Sequence, residues 1–226
     1  MAERQSSLFS TVATKILIAL TGLSLAGFLC VHLFGNLLLY LGQDAFNVWG
    51  YTLINNPFVM PAEIGLTLIL VIHVLETVTM WWTNRDARPV PYQSKVWAGG
   101  KSRKSVASTT MIWTGSVMFV FLAVHVATMK FGAEYKTLIH GTEGRDLYKL
   151  VREIFSNPLW VAFYVPGVAV TGFHLWHGFA SAFESLGLNH PNLTPRVLQI
   201  GRVLGFIIGA GFVSIPLVLF FLRSRS

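Results

Sequence analysis

The chain has 226 residues, 53% of them hydrophobic and only 12% charged, with a net charge of +7. Soluble domains carry about twice that share of charge, and a soluble helical bundle would show a charged stripe along each helix. The basic residues cluster beside apolar blocks and form no separate soluble face, which excludes a nucleic-acid-binding module.

Taken in chain order, the apolar blocks long enough to cross a bilayer fall at roughly 12–41, 58–82, 107–131, 158–183 and 199–222. These predict an all-α integral membrane bundle of five transmembrane helices forming a single domain. The N-terminal stretch MAERQSSLFSTVATK raises the question of a signal peptide. The apolar run behind it is too long for a signal core and contains a histidine and an asparagine, so it reads as a retained first span. Cys30 stands alone in that span, which excludes a disulfide framework, and the absence of C-x-x-C-H excludes covalent heme attachment.

The 83–106 segment holds Arg85, Arg88, Lys95, Lys101, Arg103 and Lys104 against Asp86, whereas the segment between the first two spans has no basic residue. The positive-inside rule therefore places the N-terminus and the 83–106 loop in the cytoplasm, despite Arg223 and Arg225 at the opposite end. Within the outer 132–157 loop, Leu147, Leu150, Val151, Ile154 and Phe155 recur at helical spacing. They predict an amphipathic segment lying on the bilayer surface.

An internal repeat carries most of the functional information. Residues 21–32 read TGLSLAGFLCVH and residues 114–125 read TGSVMFVFLAVH, identical at six of twelve positions. Asn56-Pro57 precedes His73 by sixteen residues from the proline, and Asn157-Pro158 precedes His174 by the same sixteen. Spans one and two thus resemble spans three and four, with one histidine in each. Proline in a first turn sacrifices no intrahelical hydrogen bond, so both Asn-Pro pairs mark helix starts. Gly22 and Gly115 lie ten residues, close to three turns, before His32 and His125. Their lack of a side chain leaves room for a flat group such as a porphyrin.

His32 and His125 lie in the outer halves of their spans and His73 and His174 deeper, the two levels differing by roughly 10 Å of helical rise. This predicts two noncovalent b-type hemes between the first four spans: an outer one on His32 and His125, an inner one on His73 and His174. A single histidine in a span reads equally well as a packing residue; four in two depth-matched pairs do not. Imidazole also suits zinc, but no cysteine or carboxylate joins the two levels. Axial closure by two histidines favours electron transfer over oxygen chemistry. His177 competes with His174 as ligand, or contacts a heme propionate at the inner rim. His140 and His190 fall in loops, and Met129, Trp81, Trp82 and Trp176 read as packing or interfacial residues.

The T-G-x9-H segments, the N-P-x15-H segments and the run GFHLWHGFASAFESLGLNHP from Gly172 to Pro191 together resemble the diheme cytochrome b membrane anchor of succinate:quinone oxidoreductases and fumarate reductases. The resemblance covers all five spans. It implies a subunit in the bacterial inner membrane that anchors a flavoprotein and an iron–sulfur subunit and exchanges electrons with menaquinone or ubiquinone. In that family the span-four ligand stands twelve residues before the residue preceding a short element's glycine. Counting back from Leu186-Gly187 gives His174. Some relatives carry a glutamate two residues before this ligand as part of a proton path; here that position is Gly172.

No flavin, nucleotide or dicarboxylate motif is present, so the dicarboxylate chemistry belongs to a partner. The basic 83–106 loop serves either to dock the iron–sulfur subunit or as a topology signal alone. A quinone needs a polar group in an apolar pocket, and Glu63 is the candidate near the outer heme. An interfacial carboxylate paired with a loop cation is its other reading. Asp44 is a weaker second, and Glu76 would serve an inner site. Two other classes share parts of this pattern: a diheme quinone-reactive cytochrome of hydrogenase or formate dehydrogenase type, and a transporter. A transporter predicts helices broken at mid-span, for which Pro166 and Pro216 are the hints.

Overall fold

In the computed structural model, residues 10–87 and 106–223 are described. Of the basic 83–106 loop, only Arg85 and Asp86 fall within them; Arg88, Lys95, Lys101, Arg103, Lys104 and Arg225 lie outside the described residues.

Helix α1 (Thr11–Leu37) starts where Ser10 accepts a hydrogen bond from the Ala13 amide at 3.3 Å, and it tightens into a 3-10 turn over Leu38–Leu41. A short helix α2 (Gln43–Ile54) follows, which the hydropathy reading left as loop. Helix α3 (Val59–Asp86) is preceded by Asn56, whose Oδ1 accepts from the Phe58 amide at 2.9 Å. Helix α4 (Val106–His125) runs into a π-helical turn at Val126–Lys130. Strands β1 (Lys136–Ile139) and β2 (Thr142–Arg145) pair antiparallel, and helix α5 (Leu147–Ser156) follows. Helix α6 (Pro158–Ser185) has Asn157 capping the Leu159 amide at 2.9 Å. Each asparagine accepts from the amide two residues on, but only Asn157 is a helix cap; Asn56-Pro57 forms a turn ahead of α3, which begins two residues after the predicted proline start. Helix α7 (Thr194–Arg223) completes the chain.

Five of these helices are long and apolar enough to span a membrane: Thr11–Leu41, Val59–Asp86, Thr110–Lys130, Pro158–Ser185 and Thr194–Leu222. The fifth begins five residues before the predicted start, and the second runs four residues past its predicted end. Both extensions are polar turns that hydropathy discounts. Helix α6 continues through Pro166 and α7 through Pro216, so neither proline interrupts its span.

Four of the spans stand at the corners of a square. α1 packs on α3 and on α6, α6 packs on α4, and α3 and α4 touch lightly to close the ring. Among the described residues the diagonal partners, α1 with α4 and α3 with α6, pack less closely than the neighbours along the sides. α7 lies outside the square against α6 and α1. Lipid tails are as apolar as the side chains, so close backbone packing must supply the helix–helix attraction in the bilayer. α7 supplies it with Gly201, Gly205 and Gly209, one turn apart. A Cβ on Gly172 of α6 would lie 2.6 Å from the Gly205 carbonyl oxygen and 2.7 Å from the Gly209 Cα. Only glycine fits this crossing, and a glutamate at position 172 would force α6 and α7 apart.

The end of the bundle remote from the N-terminus is capped by α2, the hairpin and α5. Its core gathers Leu39, Phe46, Val151, Phe155, Val161, Tyr164, Ile215 and Leu219. The apolar face of the amphipathic α5 packs against protein. Its apolar residues Leu150, Val151 and Phe155 are 3%, 7% and 4% exposed, packed into this protein core. Buried Asp146 fixes that orientation. It accepts from the Gln43 side chain at 2.9 Å, the Asn47 side chain at 2.8 Å and the Lys149 amide at 3.0 Å. Asn47 in turn accepts from the Tyr148 amide at 2.9 Å. The hairpin turns at His140 and Gly141 with φ of 49° and 79°, the two positive values a tight two-residue turn requires. Arg145, at the end of β2, donates to the carbonyls of Met129, Lys130, Gly132 and Ala133 at 2.9–3.3 Å. A cation thus satisfies acceptors left open where α4 ends.

Candidate functional site

The square brings the four span histidines together in two diagonal pairs. Near the capped end, His32 from α1 and His125 from α4 approach with ring centroids 5.9 Å apart and planes at 88°. Aromatic rings surround them. Phe28 stacks on His32 at 5.2 Å and Phe212 lies 5.6 Å from it, while Phe121 and Tyr164 flank His125 at 5.8 and 6.0 Å. The Tyr164 hydroxyl bonds to Thr128, whose own proton goes to the Val124 carbonyl at 2.9 Å. Thr128 belongs to the π-helical turn directly after His125, a local irregularity often found at functional sites.

Nearer the N-terminal end, His73 from α3 and His174 from α6 are electrostatic neighbours. Each is held by the Thr-Gly pair of an adjacent span. His73 Nδ1 lies 3.0 Å from Thr21 Oγ1, and His174 Nδ1 lies 2.9 Å from Thr114 Oγ1. A Cβ on Gly22 would meet His73 Cε1 at 3.1 Å, and one on Gly115 would meet His174 Cε1 at 3.5 Å. The glycines therefore lie against the imidazoles of the other pair. The vertical spacing changes with this. Thr21 precedes His32 by eleven residues and Thr114 precedes His125 by eleven, so the two levels stand about 16 Å apart by helical rise, in place of the predicted 10 Å.

The remaining predicted residues fall outside these pairs. His177, one turn beyond His174, has His174 and Glu184 as electrostatic neighbours. Glu63 is exposed near the start of α3 and forms an ion pair with Lys130 of the π-helical turn, the pairing with a cation that was its second reading. Asp44 is exposed in the first turn of α2, and Glu76 is half-buried on α3. Cys30 is exposed. Thr21 and Thr114 were visible in the repeat, but their partners belong to other spans, so no spacing within the repeat could assign them a role.

Among the described residues no three histidine, cysteine or acidic side chains are placed to hold a metal ion together. A pair of imidazoles suits a group with two axial positions. Two imidazole–metal bonds of ~2 Å and the reach from each nitrogen to its ring centre give a centroid spacing of roughly 6 Å, and the outer pair stands at 5.9 Å. His125 Nδ1 is buried without a hydrogen-bond partner, a polar atom that an apolar span leaves unsatisfied only at a cost. The helices on each diagonal pack less closely than those along the sides. The residues of both pairs, and the spacing of His32 and His125, fit heme. No family model, no curated protein and no solved structure matches the chain.

Proposed function

We propose that this chain is the diheme cytochrome b subunit that anchors a succinate:quinone oxidoreductase or fumarate reductase in the bacterial cytoplasmic membrane, its N-terminus on the cytoplasmic side. In this role it passes electrons between an iron–sulfur subunit and menaquinone or ubiquinone, while dicarboxylate chemistry takes place on a flavoprotein partner. The observation that carries the proposal is the pair of histidine diagonals, stacked at two levels and built from a repeated sequence.

In this reading His32 and His125 hold the outer heme and His73 and His174 the inner one. Heme supplies one-electron transfer, and two imidazoles close both of its axial positions. The chain's own part is to fix four imidazoles, exclude water with aromatic and aliphatic walls, and keep the two levels in one column. Of the two histidines in α6, His174 is the one that meets a Thr-Gly pair, as His73 does in the first half of the repeat. That equivalence supports His174 as the ligand and leaves His177 the propionate contact at the inner rim. Glu63 sits where α3 and α4 touch lightly, beside the turn that follows His125. A quinone that hydrogen-bonds Glu63 there must first open its pair with Lys130. The unbroken α6 and α7 speak against the transporter reading.

The test is a pyridine hemochrome assay on the chain purified with its membrane partners, together with a succinate-reduced minus oxidised spectrum. Two hemes per chain, reduced by succinate, are expected. One heme or none in a well-folded complex refutes the diheme assignment. Two hemes that dithionite reduces, but that succinate does not reduce and fumarate does not reoxidise, would place the chain in another respiratory complex.

A further inference from the structure

The two histidine levels differ in how their rings are held. His32 is walled by aromatic rings and His125 Nδ1 has no partner. Both rings of the inner level, by contrast, have an Nδ1 bonded to a threonine. A threonine hydroxyl has one proton to give and lone pairs to receive. Thr21 Oγ1 lies 2.7 Å from the Leu17 carbonyl oxygen and 3.1 Å from that of Ile18. Thr114 Oγ1 lies 3.1 Å from the carbonyl oxygens of both Thr110 and Met111. A ring that holds a metal on Nε2 carries its own proton on Nδ1. Each hydroxyl, giving its proton to the backbone carbonyl within reach, then accepts from Nδ1. A neutral imidazole has a single proton. Placing it on Nδ1 leaves the Nε2 lone pair free in both rings, the state in which that nitrogen can bind a metal.

From this geometry we infer that Thr21 and Thr114 are positioning residues for the inner heme: each fixes one axial imidazole as the Nδ1–H tautomer, sets its rotation, and tunes the potential of that heme alone. The inference rests on the ligand assignment above. Its physics is that of an outer-shell partner, which orients a ligating histidine and raises its basicity. An acceptor on Nδ1–H makes Nε2 a better donor and favours the oxidised iron. Removing it favours the reduced iron and raises the midpoint potential.

Two other threonines of the spans show the contrast. Thr67 and Thr77 also donate to carbonyls four residues back, at 2.8 and 2.6 Å, and no bond to a histidine side chain is formed by either hydroxyl. The two positioning threonines are also unequal. The Ile18 carbonyl stands in hydrogen-bonding reach of His73 and offers a second acceptor when the Thr21 hydroxyl is removed. Thr114→Val should therefore have the larger effect.

The experiment is a potentiometric titration, followed by low-temperature electron paramagnetic resonance, on the purified complex carrying Thr114→Val, Thr21→Val, Thr114→Ser or the control Thr67→Val. Threonine and valine share a shape, so the fold is retained and the lost hydroxyl is what is read. Thr114→Val should move one heme component about tenfold toward the reduced form, equivalent to 59 mV for a one-electron couple. It should also shift that component's g values, because an unanchored ring turns about its Fe–N axis. Thr21→Val should move the same component by less; Thr114→Ser and Thr67→Val should leave both components in place. If the wild type shows two low-spin components and Thr114→Val moves neither, or moves the component assigned to His32 and His125, the positioning role is refuted while the diheme assignment stands. A Thr114→Ser variant that behaves like Thr114→Val likewise refutes it, since the hydroxyl would then be irrelevant. A wild type without two components refutes the diheme assignment instead.

Discussion

Replacing Gly172 by alanine tests whether α7 is held to α6 by close backbone contact. The added Cβ would sit 2.6 Å from the Gly205 carbonyl oxygen and 2.7 Å from the Gly209 Cα, roughly 0.8 Å inside ordinary van der Waals contact. Both neighbours are backbone, so neither can rotate away and the helices must separate. Overpacking of this kind costs about 1–3 kcal/mol. Against it stands the gain of about 1 kcal/mol that alanine brings over glycine in a helix. Gly27 supplies the control, because a Cβ there meets nothing within 4 Å and only the gain remains. Gly172→Ala should therefore unfold about 1–3 kcal/mol more easily than Gly27→Ala, read by thermal or detergent-titrated unfolding of the purified chain. Equal stability of the two variants would refute the crossing as a close contact. The same geometry leaves no room for any larger side chain at position 172, because its place is filled by the backbone of α7.

Three further outcomes follow from the capped end. Arg145→Met removes the charged donor to four carbonyls and should destabilise that end by about 1.5–3 kcal/mol, seen as faster amide exchange over residues 126–133. Asp146→Ala leaves Asn47 and the α5 amides without their buried acceptor and should cost about 1–3 kcal/mol; unchanged protection of α5 would contradict its anchoring role. The hydrogen bond from Lys136 to Glu143 at 2.9 Å holds the Lys136 ammonium above the ordinary lysine range. A raised folded-state value means that the contribution is complete below the unfolded value and lost as pH climbs through the folded one. Hairpin amide protection should fall only in strongly alkaline solution, and Lys136→Met should abolish that dependence.

The spans were legible because a bilayer imposes a minimum apolar length that few other structures need. The Asn157-Pro158 cap was legible because its chemistry is local, whereas Asn56-Pro57 forms a turn just ahead of α3. Elements that depend on distant partners were not. α2 carries buried Phe46 and Asn47, yet its helical pattern is short and its polar residue pairs with Asp146, about a hundred positions away. The hairpin turn is His140-Gly141, outside the Asn-Gly and Asp-Gly pairs by which such turns are recognised. The apolar stripe of α5 was visible, but periodicity cannot say whether a stripe meets lipid or protein. The glycine spacing of α7 was present in the sequence, and its meaning lay in Gly172 on another helix. The histidine pairs were recoverable from depth, while their separation was underestimated. Counting from span ends assumes that all helices begin level, whereas the Thr21–His73 and Thr114–His174 bonds fix the register directly.

Those two bonds also explain why the repeat has the composition it does. Each T-G-x9-H helix serves both levels at once. Its histidine joins the outer pair, and eleven residues earlier its threonine and glycine receive the histidine of a neighbouring N-P-x15-H helix. The glycine lets the imidazole close on the helix: a Cβ on Gly22 would press on His73 at 3.1 Å, while one on Gly115 would meet His174 at an ordinary contact distance of 3.5 Å. The threonine must place a hydroxyl oxygen beside Nδ1 while giving its proton to the turn below. A serine could satisfy the second demand, but its χ1 is freer than that of a β-branched residue, and the oxygen would be held less firmly. The helix rise then converts the spacing within the motif into the spacing between levels. Lengthening the motif by one residue would turn the histidine by ~100° and break both pairs, so the eleven-residue interval couples the geometry of one level to the geometry of the other.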